Sequence, residues 1–163
     1  MDPLKKWTWN SIEHPAVMNV LSGECTALNW CDQLETAASD PITGKVLCAC
    51  AAMGIARGVM RDSKFNSQQA TDALVLLQQW IDDPIDERFD RICSLLFGVD
   101  APVLDQFGVT GWSLRVATSS VGNYEAGWAL SGTCEAALKA GYIPVDLCRF
   151  AELEIRSRED KSM

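Results

Sequence analysis

At 163 residues the chain is one domain by size, long enough to bury a single core. Hydrophobic residues make up 48% and charged residues 22%, a globular composition and not a disordered one. The formal net charge of −8 argues against gripping nucleic acid or an anionic membrane, since both are held by Lys and Arg patches, and it suits a partner protein with a basic surface.

Residues 1–14 fit no period and are expected to form an irregular arm. Lys5 and Lys6 lead into Trp7-Thr8-Trp9-Asn10, not into an apolar core, so no signal peptide is read and a cytoplasmic location is expected. Trp7 and Trp9 either fold back onto the body or anchor a partner, as Trp does at binding hot spots. Pro15 to Leu21 reads as a short helix, and Glu24 to Ala38 as a longer one. Asp40-Pro41 then pairs an N-cap with a proline at the first helical position, opening a helix that runs to about Arg61. The stretch Val46 to Ala56 is apolar all round and reads as a buried core helix. It spans eleven residues between Lys45 and Arg57, too few to cross a bilayer. Gly54 and Gly58 weaken this helix by about 1 kcal/mol each against Ala and point to close packing.

Ser67 caps the next helix, where Ala70, Leu74, Leu77 and Ile81 share one face beside Trp80. Asp83-Pro84 repeats the cap-and-proline device ahead of a helix over Ile85–Phe97, with Ile85, Phe89, Ile92, Leu95 and Leu96 inward. Pro102 opens a turn or short helix that Phe107-Gly108 breaks. From Gly111 to Ala140 the sequence reads as an αα-hairpin, bent at Val121-Gly122-Asn123, with small residues inside and Trp112 and Trp128 as the large exceptions. Gly141 closes its second arm in the left-handed manner. Pro144 to about Arg156 is the last helix, and the charged residues 157–163 read as a frayed tail. The expectation is one all-α domain over 1–163, an irregular bundle of about seven helices. The spacings Pro41 to Pro84 and Pro102 to Pro144 are 43 and 42 residues, which suggests stacked helical hairpins.

Few residues form a chemical constellation. Asp82-Asp83-Pro84-Ile85-Asp86 fits the D-D-x-x-D pattern that can clamp a magnesium diphosphate. Pro84 breaks that segment, so the acids read better as a cap and a first helical turn. The sole histidine, His14, has nothing nearby to orient it for catalysis. No phosphate-binding glycine loop is present. The seven cysteines read as small buried hydrophobes of a reducing compartment. No catalytic residue, metal ligand or cofactor is assigned. Arg115 and Glu125 flank the hairpin bend and suggest a buried or half-buried pair. Together with Trp112, Asn123 and Trp128 they are candidates for a polar-aromatic groove, to which Trp7 and Trp9 are added as candidate partner-binding residues.

Between about Ala70 and Glu159 the chain carries W-I-x-D-P-x-D-E, G-W-x-L-R-x-A-x-x-S and A-G-Y-I-P…R-F-A-E-x-E. In these motifs it resembles an uncharacterised all-helical bacterial domain family, some of whose members lie beside secretion-system genes. The resemblance covers a little over half the chain, and its motif residues (Trp80, Pro84, Glu87, Arg88, Trp112 and the Pro144 helix) are structural. It implies no catalytic residue. The expectation is a non-enzymatic interaction protein, an adaptor or chaperone-like accessory of a secretion or effector system. An immunity protein against a cognate toxin is the alternative, and a small helical enzyme or ligand-binding protein a second one. Self-association is compatible with the sequence.

Overall fold

A computed structural model describes residues 35, 41–61, 68–97, 108–119 and 125–162. Among them are six helices and no strand: α1 Pro41–Met60, α2 Gln68–Asp82, α3 Asp86–Phe97, α4 Val109–Thr118, α5 Glu125–Lys139 and α6 Pro144–Ser162. The all-α class holds, with six described helices against about seven expected. The helices expected over 15–21 and 24–38 lie outside the described residues, except Glu35, which is helical. So do the arm 1–14 and the segment opened by Pro102.

Helix α1 is the axle of the bundle. Its side chains from Val46 to Ala56 are wholly buried, because the helix has no polar face to turn outward. It packs most extensively against α6, then α4 and α5, and to a smaller extent against α2. That is a central helix wrapped by later ones, and not the two stacked hairpins that the proline spacing suggested. By length and composition, Ile42–Met60 suffices to cross a membrane, so the eleven-residue reading understates the helix; 89% of the apolar window is buried within the bundle. Lys45 does not end the buried stretch either: burial reaches back through it to Thr43.

Two of the three glycines of α1, Gly54 and Gly58, explain how α6 comes so close. A Cβ at Gly54 would strike the carbonyl of Phe150, and one at Gly58 would strike the Phe150 ring. Phe150 also meets Tyr142 edge to face at 5.8 Å between ring centroids. Polar groups in this core are satisfied locally. Ser113 Oγ donates to the Val109 carbonyl at 2.8 Å with the Ala52 carbonyl at 3.2 Å, and Thr133 Oγ1 donates to the Ala129 carbonyl at 3.3 Å.

Helix α2 buries Ala70, Leu74, Leu77, Trp80 and Ile81, as its periodicity predicts. Helix α3 begins later than expected. The Ile85 N–H donates to the Asp83 carbonyl at 2.8 Å, and the Ile85 carbonyl accepts from Phe89 at 3.1 Å. Asp83-Pro84-Ile85 is therefore a turn, and Asp86 and Glu87 occupy the first helical turn. Ile85, expected inward, is exposed in consequence. Helix α5 ends in a Schellman motif. Gly141 has φ +106°, the Tyr142 N–H reaches the Ala137 carbonyl at 3.2 Å, and the Gly141 N–H reaches Leu138 at 3.0 Å. Helix α6 runs on to Ser162, past the end expected near Arg156.

Candidate functional site

The α4–α5 pair carries the most distinctive surface feature. Helix α4 starts at Val109 behind Gly108, whose φ of +81° turns the chain into the helix. Trp112 follows one turn later. It lies across Gly132 of α5, where a Cβ would meet the indole ring. A notch made by a residue without a side chain thus seats the largest side chain of α4. Trp128, one turn before Gly132, meets Trp112 edge to face at 5.1 Å between centroids and 78° between planes. Such a pair contributes roughly 0.5–1.5 kcal/mol beyond area burial.

Arg115 completes the cluster. It stands one turn after Trp112, and its guanidinium carbon lies 5.2 Å from the Trp112 ring centroid and 5.7 Å from that of Trp128. Each exposed cation–π contact is worth about 0.5–1 kcal/mol. Trp128 remains 51% exposed, so a large aromatic is displayed in a fixed orientation, braced by a ring and a cation. Glu125, the first residue of α5, is exposed and sits three positions before Trp128, on the same side of the helix. Arg115 is exposed too. The expected burial of an Arg115–Glu125 pair therefore does not hold: both residues are exposed, and the guanidinium stands over the indole faces.

Three sequence-predicted site residues, Trp112, Arg115 and Trp128, are therefore brought into contact, with Glu125 on the same side of α5 as Trp128. Trp7, Trp9 and Asn123 lie outside the described residues. The D-D-x-x-D acids are divided between elements: Asp82 closes α2, Asp83 lies in the turn and Asp86 opens α3. Among the described residues no group of three or more His, Cys, Asp and Glu is placed to hold a metal ion. Cys48, Cys50 and Cys134 are buried thiols and Cys93 is a half-buried one. His14 lies outside the described residues.

Two polar devices were not read from the sequence. Lys45 is only 5% exposed, with its ammonium 5.1 Å from the Trp80 ring centroid and 5.3 Å from that of Phe89. Burial pushes its amine below the ordinary lysine range, and nearby Cys93 acts weakly the other way. Burial likewise raises the Cys93 thiol, with Asp90 adding to the rise and Lys45 opposing it. The signal was visible as a cation near the start of an apolar helix. Glu35 is the second device: its buried carboxylate accepts the Gly127 N–H at 2.6 Å, capping the start of α5 from 92 residues away. No local pattern could announce that.

None of the family models, curated proteins or solved structures compared with the chain matches it.

Proposed function

We propose that the chain is a non-enzymatic protein-interaction module, an adaptor or chaperone-like accessory of a bacterial secretion or effector system, working in the cytoplasm. The single observation that carries the interaction reading is the braced Trp112–Arg115–Trp128 cluster. Trp and Arg dominate binding hot spots, and a side chain already held in its bound orientation loses little entropy on docking. The acidic balance of the chain supports a partner with a basic surface. The resemblance in the Trp80, Trp112 and Pro144 motifs supports the secretion setting. An immunity protein would use the same physics, and the identity of the partner separates the two.

The test is a cross-linked pull-down from the native organism, with wild type, Trp128→Ala and Arg115→Ala compared at equal loading. Truncating a hot-spot aromatic costs about 2 kcal/mol or more, so recovery with Trp128→Ala is expected to fall by about thirtyfold. Unchanged recovery with both variants would remove the cluster from the interface. A partner belonging to an export machine supports the adaptor. A toxin whose growth inhibition the chain relieves supports the immunity protein.

A further inference from the structure

A second surface, sharing no residue with the tryptophan cluster, crosses the end of α1. Two open cavities, of about 350 Å³ and about 170 Å³, lie on either side of this helix end, and Arg57 and Arg61 line both. Leu74 and Val75 of α2 wall the first, and Phe150 and Leu153 of α6 wall the second. Val75 and Leu153 are 49% and 56% exposed and present apolar surface at the two cavities. Arg57 is fixed between the cavities, because its two terminal nitrogens donate separately to Glu154 of α6 and Gln78 of α2. Arg61, one turn further on, is exposed and has no ion-pair partner among the described residues.

We propose that this groove docks an acidic amphipathic helix of a partner protein, with apolar side chains entering the two cavities and a carboxylate meeting Arg61. Openness and division, and not size, favour side chains over a small ligand. Ligand pockets run to roughly 300–1,000 Å³ and enclose most of their guest, whereas this space is open and split in two by an arginine ridge. Apolar positions at i, i+3 or i+4 and i+7 are how a helix fills such a groove. Charge decides the rest. Arg57 is neutralised by Glu154, which leaves Arg61 as the unmatched charge of the groove among the described residues, and its natural counterpart is a carboxylate. The net charge of −8 opposes an acidic partner only at long range, where salt screens it, so selection rests on contact.

The experiment is a display selection. A library of helical peptides is panned against the full chain, and recovered peptides are measured by fluorescence polarisation against wild type, Arg61→Glu, Leu153→Asp and Trp128→Ala. The expected consensus pairs Asp or Glu with apolar residues at helical spacing. Affinity should fall at least tenfold for Arg61→Glu and for Leu153→Asp and stay unchanged for Trp128→Ala. A basic or neutral consensus, no enrichment at all, or equal affinity for wild type and Arg61→Glu would overturn the proposal. So would a dimer in sedimentation that the same substitutions dissociate, since the occupant would then be a second copy. Should Leu153→Asp unfold the chain, Arg61→Glu at the exposed helix end decides alone.

Discussion

Gly132 holds the candidate site together by what it lacks, and Gly132→Ala tests that. On helix propensity alone, alanine inside α5 should stabilise the chain by about 1 kcal/mol. The seat of Trp112 reverses that sign. An added Cβ would stand 2.8 Å from Cε2 of the indole and nearer still to two other ring carbons, closer than real Cβ contacts come. The ring is rigid, so it must swing out as a unit. Overpacking costs about 1–3 kcal/mol, and the displaced ring also forfeits the edge-to-face pair, worth about 0.5–1.5 kcal/mol. Set against the propensity gain, the net expectation is a loss of about 1–3 kcal/mol, or roughly 2–10 °C in Tm for a chain of this size. The assay is guanidinium unfolding together with circular dichroism, where two coupled indoles give an exciton signal that should collapse. Trp112→Leu combined with Gly132→Ala makes the control: with the ring gone, the alanine should no longer harm, a coupling of about 1 kcal/mol or more. If Gly132→Ala raised stability and kept the exciton signal, Trp112 would not be seated on α5 and the site would have to be redrawn.

Two further outcomes follow from the buried polar devices. Lys45→Met keeps the stem volume and removes a buried charge that stands over aromatic faces, so it should be neutral or stabilising by up to about 2 kcal/mol at neutral pH, whereas Lys45→Ala should cost about 2–4 kcal/mol for the cavity. Because the folded amine titrates below its unfolded value, the unfolded chain holds more protons between the two, and stability from Lys45 rises with pH through that window. The advantage of Met should therefore fade toward about pH 10 in denaturant titrations, run in a Cys93→Ala background because the raised thiol acts in the opposite sense. A pH-independent difference between Lys45 and Met would contradict the burial. Glu35→Ala uncaps Gly127 and should cost about 1–3 kcal/mol, with amide exchange at the start of α5 accelerating; unchanged protection of Gly127 would count against the long-range cap.

Much of this architecture was legible because the decisive signals are local. The period-3.6 apolar face of α2 and the all-apolar run of α1 required only their own residues, as did the glycine stop after α5. The candidate site was partly legible for the same reason. Trp112 and Arg115 lie one turn apart on α4, and two adjacent helices lined with small residues bring Trp128 alongside. What escaped depends on context. A charged residue reads as a boundary, yet Lys45 is drawn into the core because Trp80 and Phe89, from two other helices, supply π faces. Asp83-Pro84 reads as a cap followed by a first turn, yet the Ile85 N–H bonds back to Asp83 and delays the helix. Arg57 and Glu154, 97 positions apart, belong to no motif that a single stretch can display.

The placement of α1 sets a timetable for synthesis. Its chief covers, α4 to α6, are encoded between Val109 and Ser162, so the greasiest rod leaves the ribosome well before most of what sheathes it. During that interval Ile42–Met60 has the length and character of a bilayer-crossing segment, and a nascent chain in that condition is prone to stick or to be misdirected. Only when the C-terminal third is made does the same helix become the safest part of the molecule.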